Sequence, residues 1–313
     1  MSKSEQIEEL QAILREDSEN FRARRELALI LIESGFAKEA SMHLLYLIKK
    51  IPDDAELYFN LGVAYEKQKL FDKAKSSYIT ANKISPENMD IIYNLGLVLI
   101  ELKEFDLSIE CFKKVLEGDE NDSNSFFNLG ICYLKKGDLA KAIENFQNTI
   151  DINDEDLYAH FYIGNILVEV KDYEAAKAEF RRVLEISPDY SWAYYNLASI
   201  AYEEGDYEQV ALNLDQTIAL NPKDEGAYFN YAKLLTKMDL YDDAKNVMTI
   251  AAQNCPNAGQ IYYYTAQIAK AVGNSEDYMS YLNLAIENRN TLLTDLNAVM
   301  NEMEQFSQVD TEE

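Results

Sequence analysis

Apolar residues in this chain recur at helical spacing inside blocks of one fixed length. Within a block they stand at positions 4, 7, 8 and 11, then again at 17, 20, 24 and 27. Steps of three and four place each set on one face of a helix. Breaker pairs such as Gly137-Asp138 and Gly205-Asp206 fall between the two sets. Each block therefore predicts two antiparallel helices, A and B, of about four turns and about 20 Å.

The block length comes from the prolines. Pro52 and Pro86 are 34 residues apart, as are Pro188, Pro222 and Pro256 in succession. Pro86 and Pro188 are 102 apart, three times 34, with Glu120 and Asp154 in the skipped places. Proline cannot continue helix B and turns the preceding residue out of the α region. With the prolines at position 32, eight repeats start at Phe21, Ala55, Met89, Ser123, Leu157, Ser191, Glu225 and Gly259 and fill residues 21–290. Position 8 is Ala28, Gly62, Gly96, Gly130, Gly164, Ala198, Ala232 and Ala266. Glycine inside a helix costs about 1 kcal/mol against alanine, so four glycines at one position need a packing reason. Small residues at position 20, such as Ala40, Ala74, Ser108 and Ala142, suggest small facing small.

One such hairpin cannot bury its own apolar face, so neighbours must stack and the ends must differ. Residues 1–20 supply an N-terminal capping helix, opened by the capping box Ser2-x-x-Glu5 and carrying Ile7, Leu10, Ile13 and Leu14. Residues 291–306 predict a C-terminal cap with Leu292, Leu296, Val299, Met303 and Phe306 on one face. Residues 307–313 read as an acidic, disordered tail.

These positions resemble the tetratricopeptide-repeat family. Tyr58, Leu61, Gly62, Tyr65, Ala74, Tyr78, Ala81 and Pro86 match its pattern in full, and the likeness runs over nearly the whole chain. The pattern weakens toward the C-terminus, where Tyr231 and Thr265 replace the position-7 leucine. The resemblance implies an all-α, right-handed superhelix whose concave groove, lined by the A helices, holds a peptide or helix of another protein.

In that family positions 2, 5, 9, 12 and 13 face the groove. Position 5 holds Arg25, Phe59, Tyr93, Phe127, Phe161, Tyr195, Phe229 and Tyr263. Positions 9 and 12 are apolar early, with Leu29, Val63, Leu97, Ile131, Ile100 and Leu134, and turn polar with Asn165, Ser199, Lys233 and Gln267. Three readings stand. The aromatic row is packing between repeats, the N-terminal cap or a second copy of the chain covers the groove, or the early half of the groove is a binding surface; the joint apolar run at positions 9 and 12 favours the surface. Asn60, Asn94 and Asn128 at position 6 can bond a ligand backbone, although a bond to the neighbouring repeat is the simpler role for any one of them. The lysine and asparagine that clamp a C-terminal carboxylate in chaperone-binding members are replaced by Arg25 and Leu29.

Charge narrows the partner. There are 29 Lys and Arg against 55 Asp and Glu, a net −26. Such a surface repels phosphate backbones and anionic lipid, so nucleic acid is excluded and a basic partner is favoured. No run is apolar enough to span a membrane. The 3 cysteines show no metal or disulfide spacing and point to a reducing cytoplasm. The 2 histidines, His43 and His160, lack sequence-local ligand partners, so no metal is expected. Acidic stretches at 119–122 and 151–156 lack the glycine and glutamate of a calcium loop and suit helix capping instead. No phosphate loop or nucleophile elbow occurs. The expectation is a scaffold with no catalytic residues and no cofactor. Self-association into a homo-oligomer is the alternative, and the regulatory arm of an enzyme complex a remote one.

Overall fold

The structure, a computed structural model, describes residues 2–309, with side chains described through residue 306. It divides into two compact units, Met1–Ala159 and His160–Glu313.

The first unit holds α1 (Lys3–Glu16), α2 (Phe21–Glu33), α3 (Ala37–Lys50), α4 (Ala55–Lys67), α5 (Phe71–Ile84), α6 (Met89–Glu101), α7 (Phe105–Gly118), α8 (Ser123–Lys135) and α9 (Leu139–Ile152). Helix α10 (Leu157–Glu169) carries the division. The second unit continues with α11 (Tyr173–Ile186), α12 (Ser191–Glu204), α13 (Tyr207–Leu220), α14 (Glu225–Lys237), α15 (Tyr241–Asn254), α16 (Gly259–Ala271), α17 (Ser275–Glu287) and α18 (Leu296–Val309). No strand occurs among the described residues. Inside each unit a helix packs chiefly on the helices just before and after it in sequence, which is the solenoid arrangement the repeat pattern predicts.

Local chemistry sets the helix ends. The Asp54, Asn88, Asp138, Asp172, Asp206 and Asp224 side chains each accept a backbone N–H from the first turn of the helix they precede. Asp156 does the same for Ala159 at 2.8 Å, whereas Asp122 takes the Ser125 hydroxyl at 2.6 Å. B helices end on residues that have left the α region before proline, as at Ile51 with φ −132° and ψ 76°. Asp119 and Asn153 adopt similar geometry where no proline follows.

The A-to-B turn uses one backbone device throughout. Gly35, Gly137, Gly205 and Gly273 have positive φ, and so do Lys69, Lys103, Lys171 and Asp239 at the equivalent position. Side chains are strained in that region. Lys103→Gly should therefore stabilise the protein by about 0.5–1 kcal/mol. Gly137→Ala should cost a similar amount, because an added Cβ meets nothing within 4 Å and only the backbone objects. Urea midpoints of both variants check the pair, and equal midpoints would remove the argument.

The position-8 glycines have a different cause from small facing small. A Cβ on Gly62 would lie 2.5 Å from the Tyr78 ring, and one on Gly130 would lie 2.6 Å from the Phe146 ring. Gly96 meets Phe112 at 2.8 Å and Gly164 meets Phe180 at 2.8 Å. The missing side chain thus makes room for the aromatic at position 24 of the paired helix. Where position 8 is alanine, position 24 is aliphatic: Ala28 with Leu44, Ala198 with Leu214, Ala232 with Met248 and Ala266 with Leu282. Position 20 also approaches, as the Ser108 hydroxyl donates to the Gly96 carbonyl at 2.8 Å.

The ends are closed by helices. Helix α1 forms its capping box, with Ser2 N donating to Glu5 Oε2 at 2.8 Å, and lays Ile7, Leu10, Ile13 and Leu14 on the core of α2 and α3. At the other end a short 3-10 turn at Arg289–Thr291 precedes α18. The closing helix thus starts at Leu296, five residues later than the sequence spacing suggests, and continues to Val309. Thr291, Leu293 and Thr294 instead bond back to α16 and the turn before it, through Gly259, Gln260 and Asn257. Residues 310–313 of the expected tail lie outside the described residues.

Candidate functional site

The candidate residues sit on the A helices. Phe59, Asn60 and Val63 belong to α4; Tyr93, Asn94, Leu97 and Ile100 to α6; Phe127, Asn128, Ile131 and Leu134 to α8; Leu29 to α2; and Phe161 to α10. Their side chains are half-buried, except that Asn60 is buried.

The position-5 rings lean on position-24 rings. Phe59 lies 5.7 Å from Tyr78, Tyr93 5.5 Å from Phe112, Phe127 5.5 Å from Phe146 and Phe161 6.0 Å from Phe180, at interplanar angles of 50–71°. Such tilted and edge-to-face pairs are favourable by about 0.5–1.5 kcal/mol beyond area burial. Each stack runs glycine, buried ring, half-buried ring, so the outer ring both packs and presents a face. Tyr93, Leu97 and Ile100 also rest on Ile109, Phe112, Leu129 and Cys132. Part of the apolar run is therefore packing within the solenoid. Arg25, the exception in the row, donates to Asp54 at 2.5 Å and Glu56 at 2.7 Å.

Asn60 is buried, and the position-6 asparagines Asn94, Asn128, Asn196 and Asn230 are engaged internally. Asn94 donates to the Asp90 carbonyl at 2.7 Å. Asn128 donates to the Asn124 carbonyl at 2.8 Å and to the Tyr93 hydroxyl at 3.1 Å. In the second unit Asn230 donates to the Tyr195 hydroxyl at 2.7 Å. Each tyrosine at position 5 thus meets the next asparagine wherever a further A helix follows.

Hollows mark where a ligand could enter. In the first unit one of about 480 Å³ is lined by Phe59 together with Asp53, Asp54, Glu56 and Asn88. Its lining mixes the apolar Ile51, Phe59 and Ile91 with carboxylates, of which Asp54 and Glu56 are paired with Arg25. The second unit has a hollow of about 380 Å³ at Phe161, Tyr190, Trp192 and Tyr195, and one of about 140 Å³ at Tyr195, Ala198, Tyr202 and Leu214. Sequence reasoning put this half of the groove down as polar from positions 9 and 12. Trp192 escapes a reading of positions 5, 9 and 12; its signal was a single tryptophan at position 2, which the family turns to the groove.

The end of the second unit is covered by the chain itself. Glu302 of α18 accepts from Lys270 at 2.9 Å, Gln267 at 3.1 Å and Tyr263 at 3.3 Å. Those three hold positions 12, 9 and 5 of α16. Burial pushes the Glu302 carboxyl upward, but the hydrogen bonds from Lys270, Tyr278 and Gln267 outweigh it and hold the group below its usual range.

Glu66, at position 12 of α4, behaves oppositely. Burial raises its pKa, while the hydrogen bond from Tyr78 at 2.5 Å opposes the rise. A carboxyl with a raised folded pKa contributes stability that is full below its unfolded pKa and is lost as pH rises through the folded value. Glu66→Gln should therefore make unfolding less pH-dependent above pH 4.5 and should stabilise at neutral pH. Urea titrations at several pH values check this, and parallel curves for both proteins would refute it.

The chemistry of catalysis and metal binding is sparse. His43 Nδ1 lies 3.2 Å from Arg24, and burial and that cation lower its pKa. His160 Nδ1 meets Glu179 at 2.7 Å. Among the described residues no three His, Cys, Asp or Glu gather as a metal site, and no helix is long and apolar enough to cross a membrane.

Solved structures share this architecture. A tetratricopeptide repeat protein from Parabacteroides merdae aligns with TM-score 0.56 at 16% identity, over 81% of this chain and 98% of its own. YrrB, described as a TPR protein with an unusual peptide-binding site, aligns with TM-score 0.51 at 22% identity, over 59% of this chain and 96% of its own. MamA from Desulfovibrio magneticus RS-1, residues 41 to the end, gives TM-score 0.53 at 22% identity, over 55% and 97%. At such identities the likeness concerns the fold. No curated protein matches the chain significantly. Tetratricopeptide-repeat family models match residues 55–88, 88–155, 167–211 and 201–264. With its helix pairs, its position-8 contacts and these matches, the chain belongs to the tetratricopeptide-repeat family.

Proposed function

We infer that the chain is a protein-interaction scaffold, without catalysis of its own, that holds a segment of a partner on the A-helix faces of its first unit. One observation carries this reading. Phe59, Val63, Tyr93, Leu97, Ile100, Phe127, Ile131 and Leu134 form a half-buried apolar row on three successive A helices, and the hollow at Phe59 is edged by Asp53, Asp54 and Glu56. Arg25 already pairs with Asp54 and Glu56, which leaves Asp53 as the edge carboxylate outside that ion pair; an apolar row on a strongly acidic chain suits an amphipathic segment with basic flanks. The net charge of −26 supports the same partner and disfavours nucleic acid. A fold relative whose description includes a peptide-binding site, YrrB, supports the mode. The reading takes eight repeats over residues 21–290, a cap at each end, no cofactor and a cytoplasmic setting.

Capture from native lysate tests it. The rings at position 5 hold the buried aromatics, so the cleaner variant leaves them and changes position 9: Val63→Lys, Leu97→Lys and Ile131→Lys together. The variant, shown folded by circular dichroism, should lose a basic partner that the parent retains. Identical captures would move the site elsewhere. Light scattering tests self-association, which the row also permits; a concentration-independent monomer would remove that alternative.

A further inference from the structure

A hollow lined by four aromatic side chains lies outside the row just described. Phe161 of α10, Tyr190 before α12, and Trp192 and Tyr195 in the first turns of α12 line one hollow of about 380 Å³. Phe161 and Tyr190 stand 5.2 Å apart at 77°, and Trp192 and Tyr195 stand 5.9 Å apart at 72°. Trp192 is the single tryptophan of the chain and is 50% exposed. Its ring therefore offers apolar surface that a ligand can cover.

We propose that this hollow binds the guanidinium of an arginine in a basic segment of a partner protein. Three observations converge on a cation. First, tryptophan and tyrosine faces are the strongest cation–π platforms among side chains, and four aromatic rings meet here. Second, the remaining lining is Asn165 and Asn196. Asn196 spends a donor on the Trp192 carbonyl at 2.8 Å, and its amide oxygen can accept from N–H groups. Third, the chain is strongly anionic, so an uncharged aromatic hollow on its surface favours a cation over a carboxylate. The same chemistry recurs within the molecule. Arg24 lies 4.0 Å from the Tyr46 ring centroid, and Lys237 lies 4.8 Å from Tyr202 and 5.2 Å from Tyr207.

Arginine fits better than lysine. Guanidinium is planar, weakly hydrated and able to stack while donating in its plane. The neighbouring hollow of about 140 Å³ shares Tyr195 and is lined by the apolar Ala198, Val210 and Leu214 and by the polar Ser199, Asn230 and Lys233. Leu214 stands there at the position where the four preceding repeats carry a ring. This hollow takes an aliphatic side chain close to the arginine. The bound segment therefore carries both.

This inference rests on the scaffold reading but uses a different unit, so the two can fail separately. Trp192 reports its own occupancy. The full chain is titrated with a capped peptide carrying one arginine and a leucine two residues away, followed by tryptophan emission. The same peptide with citrulline, a neutral isostere of arginine, and with lysine gives the comparison. Emission should saturate with the arginine peptide, weaken at least ten-fold with citrulline, and fall between for lysine. By calorimetry Trp192→Leu and Tyr195→Leu should each weaken binding at least ten-fold. Trp192→Phe, which keeps a ring, should recover most of it. The Val63, Leu97 and Ile131 lysine variant should bind the peptide as the parent does. Equal binding of citrulline and arginine peptides overturns the cation assignment, as does saturation by a neutral proline-rich peptide alone. Unchanged affinity in the Trp192 and Tyr195 variants means attraction to the acidic surface only and overturns the site. Absence of saturation by the arginine peptide at millimolar concentration also overturns it. None of these results touches partner capture by the first unit.

Discussion

Gly130→Ala destabilises the protein by about 1–3 kcal/mol, the usual cost of overpacking a filled core, and Phe146→Leu in the same chain restores much of that loss. The new methyl would sit 2.6 Å from a phenyl ring that is fully buried, and helix backbone on one side and close packing on the other give the ring little room to retreat. Phe146→Leu alone is also costly, on the order of 1–2 kcal/mol, because it removes ring volume from the core and from its contact with Phe127. The two changes together recreate the alanine–leucine pairing already present at Ala198 and Leu214. The double variant should therefore be more stable than the sum of the single losses by about 1–2 kcal/mol. A double-mutant cycle in urea measures this directly. Additive losses would mean that ring and glycine do not share one space, and the account of position 8 would fall.

Val299→Asp should have the larger single effect, roughly 3–4 kcal/mol, because it puts a carboxylate into a fully buried apolar site. Val299 is 0% exposed and lies among Ala266, Ala269, Tyr278 and Leu282 at the end of the second unit. Phe306 seals the same cluster, 4.8 Å from Tyr278 at 72°. In a solenoid a lost cap is felt by its nearest neighbours first. Hydrogen exchange should accelerate across α16, α17 and α18 while amides of α2 to α7 keep their protection. Uniform acceleration through both units would argue that the chain opens as one cooperative body instead. Glu302→Gln should act on the same helix more mildly, by weakening the ties from Lys270, Gln267 and Tyr263.

Much of this architecture was legible because its signals are local. The spacing of three and four, the proline period and the Asp and Asn residues ahead of the A helices all act within a few residues of the structure they cause. Hence the A-helix starts at Phe21, Ala55 and Met89 coincide with helix starts in the structure. The turns show the limit of that logic. Gly137 announces a left-handed residue, but Lys69, Lys103 and Asp239 adopt the same conformation without any sequence mark, because packing of the flanking helices imposes the turn on whatever residue stands there. The C-terminal helix shows it again. Apolar spacing starts its face at Leu292, but hydrogen bonds of Thr291, Leu293 and Thr294 to α16 and the turn before it hold that stretch out of the helix until Leu296.

The site was less legible for a related reason. Position 5 could be listed from sequence, but whether its ring packs or presents a face depends on a residue nineteen positions later in the paired helix. Tyr93 rests on Phe112, whereas Tyr195 lies over Leu214 and borders two hollows. The sequence by itself determined the family, the helix pairs and the net negative charge, since these follow from residue type and spacing alone. Only the tertiary structure decided which glycine serves which ring, where the end cap begins, and which aromatics line an open hollow, because each of those is settled by the volume that a neighbouring helix fills or leaves empty.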